Sequence, residues 1–489
     1  MGGLLKIEAK EIPTCTLHDF PAQVKEAVGQ GKRSVALYGR PSAEKQDEVV
    51  LTAVFAEPVR LSVLRTSCPR GGRYHSITRE LPAFQIFERE IHESFGITPT
   101  EHPWLKPVRF SGDLQKNLAS YPFFKLDGHE VHEVAVGPIH AGVIEPGHFR
   151  FMCLGETVHH LEIHLGFQHR GVEKLLLAKD PRRLAPLVES VAGDSSVAYT
   201  LAYARALEAL AGVELSAEEE AVRGLALELE RIAMHLGGLA GLTTDVAFLP
   251  GSTTYGRLRT AIINASMRVC ASRFGRTWIR PGGARFGVDK ALRDTLEKTL
   301  LDVKRDLEGV NDLTFTSATV AHRLKGTGRV SRHRALEVGL TGMAARMAGV
   351  ELDLRAQHPD RLFSEVKISP VVETSGDCWA RAVVRRREID ASLDWIARVF
   401  RRFPEMPAQL RPIEKLAPGT LCLSMVEGWR GEILHALETD GDGKLIHYKL
   451  QDPSLRNWFG LALSLRENAI SDFPICNKSF DLSYCGNDL

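Results

Sequence analysis

No Cys-x-x-Cys pair occurs in these 489 residues. The eight cysteines, at 15, 68, 153, 270, 378, 422, 476 and 485, stand apart, so the sequence offers no recognisable iron–sulfur or zinc cradle. Thiols scattered like this in a chain of this size read as reduced side chains behaving as small hydrophobes. An excess of charge is also missing. Lys plus Arg (62) nearly cancels Asp plus Glu (61), which leaves no global field toward nucleic acid or anionic lipid. Basic clusters such as Arg385-Arg386-Arg387 read as solvated helix faces. No run approaches the roughly 18 apolar residues of a membrane span, and Met1-Gly2-Gly3-Leu4-Leu5-Lys6 lacks the apolar stretch of a signal peptide. No Gly-x-Gly-x-x-Gly follows a strand and opens a helix, so the chain has no motif for flavin or nicotinamide and cannot by itself take a hydride from NADH. Neither internal repeats nor low-complexity segments occur.

What is present is ordinary globular material, 44% hydrophobic and 25% charged, long enough for about two to four domains. Ser34–Tyr38, Val49–Phe55 and Leu61–Arg65 read as strands, and Gln85–Phe95 as a helix with Phe84, Phe87, Ile91 and Phe95 on one face. Pro99, Pro103 and Pro107 then force an extended segment, since each ring fixes φ and removes a donor. Ser111 to Gly128 reads as a linker, followed by strands at Val131–Gly137 and His148–Leu154. From about residue 181 the pattern is helical. Ser216-Ala217-Glu218-Glu219 is a capping box, opening a helix with Val222, Leu225, Leu229, Ile232, Leu236 and Leu239 on its apolar face. A second such helix carries Leu292, Leu296, Leu300, Val303, Leu307 and Val310, and helical patterns return at Arg332–Gly349 and Arg381–Arg402. The expected class is α+β: a small α/β domain over 1–120, then a large, mainly helical bundle over 121–489 with small β additions.

Several short motifs then line up in order. Phe87-Glu88-Arg89-Glu90, Phe95-Gly96-Ile97 and His102-Pro103-Trp104-Leu105 come first. Gly137-Pro138-Ile139-His140, Glu145-Pro146-Gly147-His148-Phe149-Arg150 and Gly166-Phe167-Gln168-His169-Arg170-Gly171-Val172-Glu173-Lys174 follow, with Arg280-Pro281-Gly282-Gly283 and Gly326-Thr327-Gly328 further on. The chain resembles a fusion of subunits C and D of NADH–quinone oxidoreductase (complex I), as found in the large subunits of formate hydrogenlyase-type membrane-bound hydrogenases. That resemblance implies a fold like the nickel–iron hydrogenase large subunit. It also implies partners: a small iron–sulfur subunit, a ferredoxin-like subunit and antiporter-like membrane-arm subunits, with no nucleic acid. The protein would then be cytoplasmic, held peripherally at the membrane through those partners.

Where such a hydrogenase has its four metal-binding cysteines, this chain has Ala192, Ser195, Ser454 and Asn457. Soft metals of this kind need thiolates, a hydroxyl is a far weaker ligand, and a methyl is none. The expectation is no metal and no cofactor bound by this chain alone, an iron–sulfur cluster in the partner subunit, and quinone as a candidate ligand of the vacated cavity.

The resemblance also implies roles for six residues. His169 and Arg170 match a segment that faces the partner's cluster, where a fixed guanidinium raises its potential; a surface ion pair is the plainer alternative. Glu145 matches a proton-relaying glutamate, or is a loop carboxylate in water. Asp245 matches an aspartate that pairs with a histidine lining a quinone cavity, with His148 the nearest candidate, or is a helix-end cap. Glu189 stands at or near the place of a tyrosine that binds the quinone headgroup, and Gly275 at that of a cluster histidine. Tyr199 and Tyr203, one helical turn apart, could substitute, although buried tyrosines are more often core. His235 reads as structural, and the tail beyond Asn457 is expected to pack in or near the cavity. The functional expectation is electron transfer from a neighbouring iron–sulfur subunit, coupled to a quinone-type or proton-linked cavity without nickel–iron chemistry. The alternative is a redox-inactive scaffold. An active hydrogenase is disfavoured by the missing thiolates.

Overall fold

Alternating apolar residues in three consecutive runs produce the first element of the fold, an antiparallel sheet of Arg33–Pro41, Glu48–Ala56 and Leu61–Pro69. The computed structural model describes residues 2–109, 121–140 and 144–489. Helices Phe20–Gly29 and Gln85–Phe95 bury Phe20, Val24, Phe87 and Ile91 with sheet residues Leu37, Leu51 and Phe55. Leu455, from a helix near the C-terminus, enters the same cluster, so this layer shares its core with the rest of the chain. Most of the Ser111–Gly128 segment read as a linker, through residue 120, lies outside the described residues. Where description resumes, Tyr121 is buried.

The capping box forms as the sequence requires: Ser216 N–H donates to Glu219 Oε2 at 2.7 Å and Glu219 N–H to Ser216 Oγ at 3.3 Å. It opens the Ala217–Asp245 helix, which is buried on nearly every face because Leu249–Cys270 and Cys378–Arg402 pack along it. Lys290–Phe315 packs on the outer side of these two. Gly224 permits the close approach of Cys378–Arg402, since a Cβ there would lie 2.7 Å from Trp395 Cη2. The pattern read as one helix over Arg332–Gly349 is two short ones, Arg332–Glu337 and Met343–Arg346. Gly339 and Gly342 between them have φ of +69° and +60°, a conformation that ends an α-helix.

A whole second sheet escaped the sequence reading. Thr420–Glu427, Glu432–Thr439 and Leu445–Gln451 form a sheet whose edge is completed by Leu4–Glu8 from the far end of the chain, paired Leu4 to Ser424. All residues of the two central strands are buried. One face packs on the Ser196–Ala211 helix, while Leu421, Leu423, Met425 and Leu434 meet Val35, Tyr38 and Val54 of the first sheet on the other. A strand covered on both faces loses the alternation by which strands are recognised. Ion pairs reinforce this contact: Glu438 accepts from Arg40 and Arg65, and Glu432 from Arg33. A smaller sheet, Val131–Val136, His148–Leu154 and Thr157–His164, adds one strand to the two expected there.

Candidate functional site

Ala192 and Ser195 lie in the turn just before the Ser196–Ala211 helix, and Ser454 and Asn457 on the first turn of the Ser454–Ser464 helix, all four buried. The chain's own polar groups occupy the space between. Arg430, on the tight turn between two central strands, donates from Nη1 to Asp194 Oδ1 at 2.8 Å and from Nη2 to Asp194 Oδ2 at 2.6 Å. It also reaches Ser195 Oγ at 3.4 Å and stacks on Trp429. Asp452 accepts from Ser454 N–H at 2.7 Å and from the Tyr199 hydroxyl. Burial pushes the Asp452 carboxyl up, opposed by Arg430 and by these hydrogen bonds.

The tail closes the site. Ser483 N–H donates to Ser454 Oγ at 2.9 Å, and Arg430 Nε donates to the Asp481 carbonyl at 2.5 Å. A Cβ on Gly486 would lie 2.4 Å from Asp452 Oδ2, so only glycine lets the tail come this close. Asn457 is engaged elsewhere, its amide exchanging two hydrogen bonds with the Thr341 backbone at 3.0 and 3.1 Å. The donor set therefore does not fit a nickel–iron centre. A methyl, a hydroxyl beside a guanidinium, a hydroxyl accepting from the tail and a saturated amide stand where four thiolates would be needed.

Glu145 is half-buried on the approach to the His148–Leu154 strand, and its charge acts on Tyr484 and Cys485 of the tail. Burial, helped by Glu145, pushes Tyr484 up to about 12 and Cys485 up to about 11. Asp194 and Asp452 act on Cys485 as well, which places Glu145 on the rim of the same site. His148 faces elsewhere: Nδ1 is 3.0 Å from the Gly137 carbonyl and its ring packs on Phe123. Asp245, at the end of its helix, has Lys478 and Asp481 as its charged neighbours. Its residue surface is exposed, yet desolvation pushes its carboxyl up to about 6, opposed by Lys478 and reinforced by Asp481. Among the described residues no hydrogen bond or ion pair joins Asp245 to His148. Glu189 is buried in an ion pair, accepting from Arg280 Nη1 at 2.6 Å and Thr277 N–H at 2.7 Å.

His169 and Arg170 are exposed at the outer edge of the tail. His169 Nδ1 is 2.8 Å from the Asp488 carbonyl, and Arg170 donates to the carbonyls of Ser190, Val191 and Cys485. Tyr203 donates to the Pro181 carbonyl, away from the site. Arg430 and Asp481 went unread in the sequence. The visible signal was an arginine inside Gly428-Trp429-Arg430-Gly431, a turn between apolar runs.

Behind this site lies a second group of charges, of which only His235 was read, as structural. Glu388 accepts from His235 at 2.7 Å and from Arg346 Nε at 2.8 Å, and Arg346 Nη1 continues to Glu427 at 2.7 Å. His235 thus holds a buried ion network together, and desolvation pushes it down to about 4. Burial pushes Glu427 up to about 7, against Arg346. Arg385 corrects the reading of its cluster as a solvated face: it is fully buried, and desolvation lowers its guanidinium to about 10.

The sequence matches the family described as respiratory-chain NADH dehydrogenase, 30 Kd subunit, over residues 25–125, and the corresponding 49 Kd subunit over residues 245–418. The chain belongs to this complex I-type large-subunit family, with the two regions fused. Among similar proteins, the carbon monoxide-induced hydrogenase of Rhodospirillum rubrum is 28% identical, over 72% of this chain and 97% of its own length. Hydrogenase-4 component G of Escherichia coli (strain K12) is 26% identical over 85% of this chain and 76% of its own. One subunit of the NADH-quinone oxidoreductase of Bacillus thuringiensis (strain Al Hakam) is 28% identical over 66% of this chain and 88% of its own. A chain from the membrane-bound sulfane sulfur reductase, an archaeal respiratory membrane complex, shares the fold with a TM-score of 0.69 at 23% identity, covering 75% of this chain and all of that one. The fused subunit is therefore an oxidoreductase subunit by kinship. No helix among its described residues is long and apolar enough to cross a membrane.

One acid in the fused subunit yields a stability prediction. Glu230 is buried, and its carboxylate receives Val197 N–H at 2.7 Å and Ala198 N–H at 3.2 Å from the start of the helix after Ser195. Desolvation pushes it up to about 8, those two donors opposing and Asp194 reinforcing. The folded chain keeps this proton while the unfolded chain releases it near 4.5. The associated stability is therefore full below pH 4.5 and is lost as pH rises toward 8, on the order of 5 kcal/mol in all. Glu230→Gln should remove that slope, so the variant melts above wild type at pH 8 and close to it at pH 5. Melting curves at the two pH values check this, and equal curves at pH 8 refute it.

Proposed function

We propose that this chain is the large subunit of a membrane-associated, complex I-like oxidoreductase without nickel–iron chemistry. Electrons would arrive from an iron–sulfur cluster in a small partner subunit that covers the face around His169 and Arg170. Their arrival would be coupled to protonation of the cavity region rimmed by Glu145, with quinone as the acceptor class. A ferredoxin-like subunit and antiporter-like membrane subunits would complete the assembly at the cytoplasmic face of the membrane.

The observation that supports this reading is the refilled centre. Of the four positions that would ligate metal, Ser195 is engaged by Arg430 and Asp194, Ser454 by Ser483 and Asn457 by Thr341, while Ala192 offers only a methyl. Acids surround them: Asp194, Asp452 and Glu145. The four positions carry no thiolate for a nickel–iron centre, whereas the acids around them suit proton chemistry. The test is the intact complex, co-expressed with its iron–sulfur subunit and a hydrogenase maturation system, then assayed for quinone reduction and for metals in the same preparation. The expected result is quinone reduction with cluster iron and no nickel. Stoichiometric nickel overturns the reading, and a fully assembled complex with no redox turnover would reduce this subunit to a scaffold.

A further inference from the structure

Two thiols outside the refilled centre are in contact. Cys378, the first residue of the Cys378–Arg402 helix, and Cys476, within the Phe473–Phe480 helix, are both fully buried with their sulfurs 3.9 Å apart. Arg381, one turn along the first helix, places Nη2 3.2 Å from Cys378 Sγ and donates from Nε to Ser479 Oγ at 2.7 Å. Ser479 in turn lies 3.5 Å from Cys378 Sγ. The Gly326–Gly328 turn, which begins at the surface, covers the pair with bare backbone, since a Cβ on Gly328 would lie 2.5 Å from Cys476 Sγ.

We propose that Cys378 and Cys476 are a redox pair that closes to a reversible disulfide, with a hydroperoxide as oxidant and Cys378 as the attacking thiol. Forming the bond needs the two sulfurs to close from 3.9 Å to roughly 2 Å. The surroundings choose the nucleophile. Burial alone would raise the Cys378 thiol, but the hydrogen bond with Cys476, the Arg381 guanidinium and the Ser479 hydroxyl outweigh it and hold it below the usual thiol range. Cys476 moves the opposite way, pushed up by its hydrogen bond to Cys378 and by burial, with Arg381 opposing and Asp472 reinforcing. Cysteines buried among apolar groups show the contrast: desolvation pushes Cys422 up to about 12 and Cys68 up to about 11. A low-lying thiol beside a guanidinium is the setting in which cysteine reacts with peroxide.

The chemistry balances without another reagent. The Cys378 thiolate attacks one peroxide oxygen, the oxygen–oxygen bond breaks, and the leaving hydroxide takes up the Cys378 proton as water. Cys476 sulfur then attacks the sulfenic sulfur, the sulfur–oxygen bond breaks, and the hydroxyl leaves as water with the Cys476 proton. Two thiols lose two electrons and two protons, and hydrogen peroxide becomes two waters. The bond would tie the Phe473–Phe480 helix to the bundle. That helix runs directly into Asp481, whose carbonyl accepts from Arg430, so oxidation would lock the tail over the refilled centre.

The full-length chain tests this. It is reduced, desalted, exposed to hydrogen peroxide at neutral pH, alkylated, and digested without reductant. The expected product is one cross-linked peptide joining Cys378 to Cys476, reversed by dithiothreitol, with the other six cysteines alkylated and slower amide exchange across 473–480. In C476S, dimedone should capture a sulfenic acid on Cys378, and in C378S Cys476 should remain unlabelled. If both thiols of the wild type stay alkylatable while other cysteines oxidise, the proposal fails. Equal dimedone labelling of Cys476 in C378S refutes the assignment of the nucleophile.

Discussion

Glu145→Gln is expected to cut turnover of the assembled complex by about 10²–10⁴-fold, the usual contribution of a positioned proton-transfer group. Gln keeps the size and hydrogen-bonding reach of the side chain and removes only its proton. Glu145 is half-buried and forms no ion pair among the described residues, so assembly and melting temperature should barely move. Its charge acts on Tyr484 and Cys485, which belong to the tail that closes the refilled centre, so a proton lost there is lost at the place where coupling would occur. Asp245→Asn provides a second readout. Desolvation pushes its carboxyl up to about 6, so the wild-type activity–pH profile should carry an inflection there that the variant lacks. Both substitutions leaving activity and profile unchanged would show that the cavity no longer handles protons.

The largest effect on stability is expected from Arg346→Met. Arg346, Glu388 and Glu427 have no exposed side-chain surface, and the guanidinium is hydrogen-bonded to both carboxylates. Removing one member of a buried ion pair typically costs about 3–5 kcal/mol, because the remaining charge keeps its desolvation penalty without its partner. Here two carboxylates lose a partner at once. The subunit should lose most of its soluble yield, or melt far below wild type where it survives. Adding Glu388→Gln and Glu427→Gln removes the orphaned charges and should recover part of the loss. A single variant that melts with wild type would show that Arg231, 3.7 Å from Glu388, together with His235 and the Leu354 N–H that Glu427 accepts, suffices for both acids.

Much of the fold was legible in one dimension. The capping box at Ser216, the apolar stripe through Leu225, Leu229, Ile232 and Leu236, and the alternating runs of the first sheet describe segments whose burial has a period. The order of the motifs carried the family, and the residue types at 192, 195, 454 and 457 carried the expectation of no thiolate set, because ligand chemistry is a property of the residue type. Gly339 and Gly342 were in view, but the apolar pattern around them masked the break.

What only the tertiary structure decided is which polar groups meet. Thr420–Glu427 and Glu432–Thr439 are buried from both sides by layers far apart in sequence, which removes the alternation that would have marked them as strands. Arg385 reads as a surface charge until the bundle closes around it. Arg33 meets Glu432 across 399 positions and Arg346 meets Glu427 across 81, separations over which no local pattern can carry information. Periodicity reports the face of an element a residue occupies. Its charge state and its partner depend on what the folded chain brings against that face, and on how much water is removed when it does.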